Sequence, residues 1–280
     1  MKYLIIHADD AGLNGSVNEA ILDGLKKHYF SSTSILVPAP YFEQFIKKAK
    51  EYPEYDYGIH LCLTGEHENY RWKPVSPKAD VPSLVDENGY LWSSVEQFMR
   101  NARLEDVARE LQAQITRVLE TGLNVSHIDS HQGTMFLNME YISLYLMLSE
   151  EFNLIPMMLK PSHFIQDLIR KRGIELSDQD IQNIQSHLHV SLDILYMVDF
   201  GIDNLSDRKK QYESILGKIP DGISQIIVHP GYNDSALKRI TKSSFVRQLD
   251  YTIFSDESII ELIDQMGIKL TNWRSLKYQG

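Results

Sequence analysis

Short apolar runs alternate with amphipathic stretches along this chain, and that rhythm constrains the fold more tightly than any single motif. The apolar runs predict strands at Lys2–His7, Thr33–Val37, Tyr57–Leu63, Val125–Ser130, Leu154–Leu159, Ile194–Asp199, Ser224–His229 and Ile268–Asn272. Short runs rich in Ile, Val and Leu suit parallel strands buried on both faces. Helical patterns fill the intervals. Ser16 and Glu19 read as a capping box ahead of Ala20, Ile21 and Leu25. Leu104, Val107, Ala108, Leu111, Ile115, Val118 and Leu119 make an apolar stripe of helical period, closed by Gly122. Further helices are predicted near Tyr41–Tyr52, Met139–Phe152, Ser206–Leu216 and Glu257–Met266. Strand-then-helix order repeated this often predicts a parallel sheet. About eight strands suggest a β/α barrel, with an open doubly wound sheet as the alternative. A chain of 280 residues can bury one large core, so residues 1–280 read as a single domain.

One segment breaks the rhythm. Thr64–Arg100 has little periodicity and holds Pro74, Pro77, Pro82, Gly89, Tyr70, Trp72, Tyr90 and Trp92. A loop this long inside a barrel is usually a functional lid or disordered, and its aromatic content favours an ordered flap on the rim.

Composition narrows the partners. The net charge is −10, with acid and base scattered, which disfavours nucleic acid, whose phosphates call for a basic patch. Hydrophobic residues at 43% and charged residues at 24% are ordinary for a globular protein. No uncharged apolar stretch approaches the roughly 18 residues of a membrane span. The N-terminal run Leu4-Ile5-Ile6 is too short for a signal-peptide core and soon meets Asp9 and Asp10. With Cys62 as its single cysteine the chain cannot form an internal disulfide, which fits a reducing, cytoplasmic setting. The oligomeric state, a homodimer included, stays open.

In a β/α barrel the reactive groups sit at the C-terminal ends of strands. The first strand ends in Asp9-Asp10, the third carries His60, the fourth carries His127-Ile128-Asp129-Ser130-His131, and the seventh ends in His229-Pro230-Gly231. Each alone is as well explained by a turn, a cap or packing. Their convergence on one rim is the stronger signal. Two histidines and one aspartate would give three protein ligands with open positions, the pattern of a catalytic metal site. On an extended strand His127 and His131 lie about 13 Å apart, so one is a ligand and the other a neighbour unless the backbone bends. Side chains of adjacent strand residues diverge, which predicts different roles for Asp9 and Asp10.

These pieces resemble the YdjC-like family, which includes chitooligosaccharide and hopanoid-associated deacetylases. The resemblance rests on Ala8-Asp9-Asp10-Ala11-Gly12-Leu13 with Val17-Asn18, on Gly58-Ile59-His60-Leu61-Cys62-Leu63-Thr64, and on Pro82-Ser83-Leu84-Val85-Asp86 with Gly89. It continues through His127-Ile128-Asp129-Ser130-His131 and His229-Pro230-Gly231, in family order across nearly the whole chain. It implies a distorted β/α barrel akin to polysaccharide deacetylases and one divalent metal ion, zinc or magnesium. By matching position it implies Asp10, His60 and His127 as ligands, Asp9 as general base and His229 as general acid. The expected substrate is a small N-acetylated sugar or short chitooligosaccharide, cleaved to acetate and a free amine. His131, Lys160, Trp72, Trp92 and Tyr232 are candidates to contact it. Two departures fall near the expected rim: Gln132-Gly133-Thr134-Met135 follows His131 where relatives often carry histidines, and Lys160 stands where an arginine is expected.

A bound metal acidifies water and polarises a carbonyl, which is what an unreactive acetamide needs. Asp9 would take the water proton and His229 would protonate the leaving amine. Asp129 reads either as a carboxylate orienting a rim histidine or as a strand-end turn residue. His187 and His189 belong to no motif and read as surface or packing residues. The same constellation also permits hydrolysis of a phosphoester or cyclic amide. A non-catalytic sugar-binding barrel or a partner-binding barrel are further alternatives.

Overall fold

The computed structural model describes residues 1–162 and 177–277. Its first strand, β1 (Lys2–Ala11), organises the sheet. On one side β1 pairs with β7 (Gly222–Val228) over Lys2–Ala8. On the other it pairs with β2 (Ser32–Leu36) near its top and with β8 (Ile268–Leu270) at its foot. From β2 the sheet continues to β3 (Tyr57–Leu61), β4 (Val125–Ser130) and the short β5 (Ile155–Pro156). Beyond β7 lies β6 (Ile194–Met197). All these pairings are parallel. Beside the two end strands a parallel bridge joins Leu159 to Leu192, so the sheet curls into a distorted β/α barrel.

Alternation along the strands sorts the core into two layers. Leu4, Ile6 and Ala8 of β1 join Ile59, Ile128, Ile226 and Val228 against the surrounding helices. Ile5 instead meets Ile155, Met157, Leu192 and Trp273 inside the barrel. The predicted strands and long helices lie where expected, including the helices Leu104–Glu120, Met139–Glu151 and Glu257–Gln265. The capping box at Ser16 does not form. The helix Gly15–Lys26 is capped by Asn14, whose side chain accepts from Val17 N–H, and Ser16 instead bonds Asp234. The sequence pattern also misses the helices Val95–Asn101, Asp178–His187, Ser235–Ile240 and Ser244–Phe254.

The aperiodic segment is ordered. A 3-10 turn at Pro82–Leu84, a bridge from Val85 to Leu91, and backbone bonds from Gly65 to Trp92 and from Leu91 to Trp72 knit it together. Glu110 of the helix Leu104–Glu120 anchors it by accepting the backbone N–H groups of Val75 and Ser76, both at 2.9 Å. No described helix is long and apolar enough to cross a membrane.

Candidate active site

Alternation turns Ile5, His7 and Asp9 of β1 inward and would send Asp10 outward. The backbone overrides it. Asp10 has a positive φ of 71°, and the β1–β2 register slips between Ala8 and Ala11. This bulge brings two consecutive carboxylates to one place. Asp10 Oδ1 lies 3.6 Å from His60 Nε2, and Asp9 Oδ2 lies 3.9 Å from the same nitrogen.

β3 and β4 supply the next layers. Their register sets His60 opposite Asp129 and Gly58 opposite His127. Asp129 Oδ1 accepts from His60 Nδ1 at 2.7 Å, and its Oδ2 accepts from the Ser34 hydroxyl at 2.7 Å. Asp129 is therefore the carboxylate that orients His60. At the end of β4 the chain turns through Gln132 and Gly133, both at positive φ, which leaves His131 over the site. His131 Nδ1 is 3.1 Å from His60 Nε2 and 3.6 Å from Asp10 Oδ1. Its other nitrogen, Nε2, is 3.1 Å from Glu66 Oε2.

Among the described residues, three groups of side chains have ligand atoms within 4.8 Å of one another: Asp10, His60 and His131; Asp9, His60 and Asp129; and His7, His127 and Asp129. The expected trio of Asp10, His60 and His127 is not among them. His127 points into the barrel below, 2.9 Å from His7 Nε2 and stacked on Trp273 with ring centroids 5.5 Å apart. An inward strand position two residues below Asp129 and four below His131 places it too deep to join Asp10.

The opposite wall carries a guanidinium and an imidazole. Arg247, from the helix Ser244–Phe254, binds Asp10 Oδ2 at 2.5 Å. His229 Nε2 lies 3.8 Å from Asp9 Oδ2, its ring rests on Phe200, and its backbone N–H donates to Asp250 at 3.0 Å. Asp250 also accepts from Arg208 and Tyr212.

The buried charges shift one another. Burial opposes a charged His60, but Asp129, Asp9 and Asp10 outweigh it and push the ring up to about 10. Burial likewise opposes a charged Asp10, yet Arg247, His229, His131 and His60 hold it well below the usual carboxylate range. Burial raises Glu66, while His131 and His67 bring it down to about 2. Burial lowers His229 against the pull of Asp9 and Asp10.

The remaining candidates lie less centrally. Trp72 is 2% exposed and spends its indole N–H on Thr64 O, with its edge towards His131, so the protein itself covers the ring. Trp92 is half-buried and donates to Ser83 O. Tyr232 packs edge-on against Tyr251, and Lys160 is exposed beyond β5. His187 sits at the surface beside Asn183 and Glu150. Glu66 and Arg247 escaped the sequence reading. Glu66 follows β3 in an aperiodic loop, whereas Arg247 and Asp250 sit three apart on an otherwise apolar helix face, a signal that was there to read.

The chain is similar to known proteins over nearly its whole length. A carbohydrate deacetylase of Thermoanaerobacter pseudethanolicus is 28% identical over 277 residues, covering 99% of this chain and 100% of the relative. A carbohydrate deacetylase of Enterococcus faecalis is 28% identical, covering 98% of each. An E. faecalis crystal structure, provisionally named for cellobiose-phosphate cleavage, superposes with a TM-score of 0.80 at 28% identity and 98% coverage of both chains. The profile of the YdjC-like protein family matches residues 3–265, and the chain belongs to that family.

Proposed function

We propose that this chain removes the acetyl group from an N-acetylated sugar by metal-dependent hydrolysis, with the ion held by Asp10, His60 and His131. One observation carries the reading. Asp10 Oδ1 is a buried carboxylate oxygen without a hydrogen-bond partner, and His60 Nε2 and His131 Nδ1 both face it at 3.6 Å. The second nitrogen of each ring is already engaged, by Asp129 and Glu66 respectively. Carboxylate-backed imidazoles of this kind are characteristic of metal sites. Two imidazoles and one carboxylate suit zinc better than magnesium, which prefers oxygen.

When bound, the ion would supply a Lewis acid that polarises the carbonyl oxygen and acidifies the attacking water. Asp9 Oδ2, turned to the same space, takes the proton from that water. His229, across the site, gives a proton to the leaving amine. Arg247 occupies Asp10 Oδ2, so only Oδ1 of that carboxylate is left for the ion. The names of the relatives support the sugar as substrate.

The test is acetate release from a panel of N-acetylated mono- and disaccharides. Asp9→Asn should keep the ion yet lose about 10²-fold or more in turnover, while Asp10→Ala should lose the ion itself. Release of phosphate without acetate would overturn the reading, as would Asp9→Asn turning over near wild type.

A further inference from the structure

Beneath the site a chain of hydrogen bonds runs down through the barrel. Asp9 Oδ1 meets His7 Nδ1 at 2.9 Å, and His7 Nε2 meets His127 Nε2 at 2.9 Å. His127 Nδ1 meets the Ser126 hydroxyl at 2.8 Å, which in turn meets Asp56 Oδ1 at 2.5 Å. The last residue also accepts the backbone N–H groups of Trp273 and Arg274, at 2.9 and 3.1 Å. Every member is buried. None of the four residues below Asp9 has a part in the chemistry proposed above.

We propose that His7 is a positioning residue for Asp9, and that His127, Ser126 and Asp56 fix the hydrogens on its ring. The role presupposes that Asp9 is the base. Counting hydrogens from the bottom gives the direction of each bond. A carboxylate only accepts, so Ser126 donates its one hydrogen to Asp56. The Ser126 oxygen must then accept from His127 Nδ1–H. In a neutral His127 ring Nε2 is bare and accepts from His7 Nε2–H. His7 also needs a hydrogen on Nδ1 to bond the Asp9 carboxylate, so the ring is doubly protonated.

The surroundings agree. Burial and then His7 hold the His127 ring well below the ordinary histidine range. Burial opposes a charged His7, but Asp9 and Asp129, whose Oδ2 is 3.5 Å from His7 Nε2, raise it overall. Burial raises the Asp56 carboxyl against Ser126, Ser32 and Arg274, and the two backbone donors favour its ionised form. With Oδ1 of Asp9 pinned by an imidazolium, Oδ2 is the oxygen presented to the reacting atoms. It lies 3.8 Å from His229 and 3.9 Å from His60.

Ser126→Ala tests this three bonds from the base. The intact protein is labelled with ¹⁵N-histidine, and the His7 resonances are identified by their loss in His7→Gln. Wild type should show both His7 nitrogens protonated and His127 with one bare nitrogen. Ser126→Ala should shift the His7 signals and lower kcat by roughly tenfold, with KM and metal content unchanged. Ser126→Thr keeps the hydroxyl and should restore both. A neutral His7 in wild type would overturn the proposal. Unchanged kcat in Ser126→Ala would do the same. Asp9→Asn separates the two levels: if it stays active the base assignment fails, whereas an inactive Asp9→Asn beside a fully active Ser126→Ala sinks only the chain.

Discussion

His127 and His131 stand four residues apart on one inward-facing line, and their partners divide their work. His131 looks across at Asp10 with Glu66 behind it, while His127 looks down at Ser126 and lies flat on Trp273. His131→Ala protein should therefore emerge from dialysis without its ion, and His127→Ala should keep it. Elemental analysis decides, and the reverse pattern would restore His127 as the ligand. Arg247 offers a second contrast. Truncating it to alanine leaves Asp10 Oδ2 without its cation in a buried site, which should weaken metal affinity by about 10–100-fold. Competition with a chelator measures this, and a value within twofold of wild type would remove Arg247 from the site's support.

Among the elements, β3 and β4 approach so closely that a side chain at Gly58 has no room. A Cβ there would sit 2.3 Å from the His127 ring. Gly58→Ala should cost about 1–3 kcal/mol in denaturant unfolding, the range for overpacking a tight core. The rim segment depends on Glu110 in a similar way. Its two oxygens accept from Val75, Ser76 and Gln114, so the amide of a glutamine in its place would turn an N–H towards donors. Glu110→Gln should lose about 1–3 kcal/mol and expose the segment to proteolysis; equal protease resistance would show that other contacts hold it. The elements differ in how legible they were. Parallel strands announce themselves because both faces are apolar, and period-two spacing places His60, Asp129 and His229 at strand ends. Asp10 reaches the site through a positive φ, which spacing does not encode. Asn14, not Ser16, caps the first helix because the chain already turns at Gly12, φ 101°. The helix Ser244–Phe254 went unread because Arg247 and Asp250 interrupt its apolar face, and those two residues tie it to the site.

For the whole molecule, Trp273 packs beneath the polar interior of the barrel, beside Ile5, Ile155, Met157 and Leu192. It is fully buried, stacks on His127, and donates its indole N–H to Gln225 at 3.0 Å. Arg274 next to it bonds Pro53 O and Asn124 O on neighbouring strand approaches. Trp273→Ala should destabilise by about 3–5 kcal/mol, as expected for a buried tryptophan, and leave His127 without its stacking partner. Denaturant melting with near-ultraviolet dichroism would register both. Trp273 also follows all eight described strands in the sequence. Domains generally fold as units, on chains made at about 5–20 residues per second. A chain cut short before Trp273 would hold every described strand yet lack the indole that stacks on His127, so the last described helix is also the one that closes the barrel beneath the imidazoles.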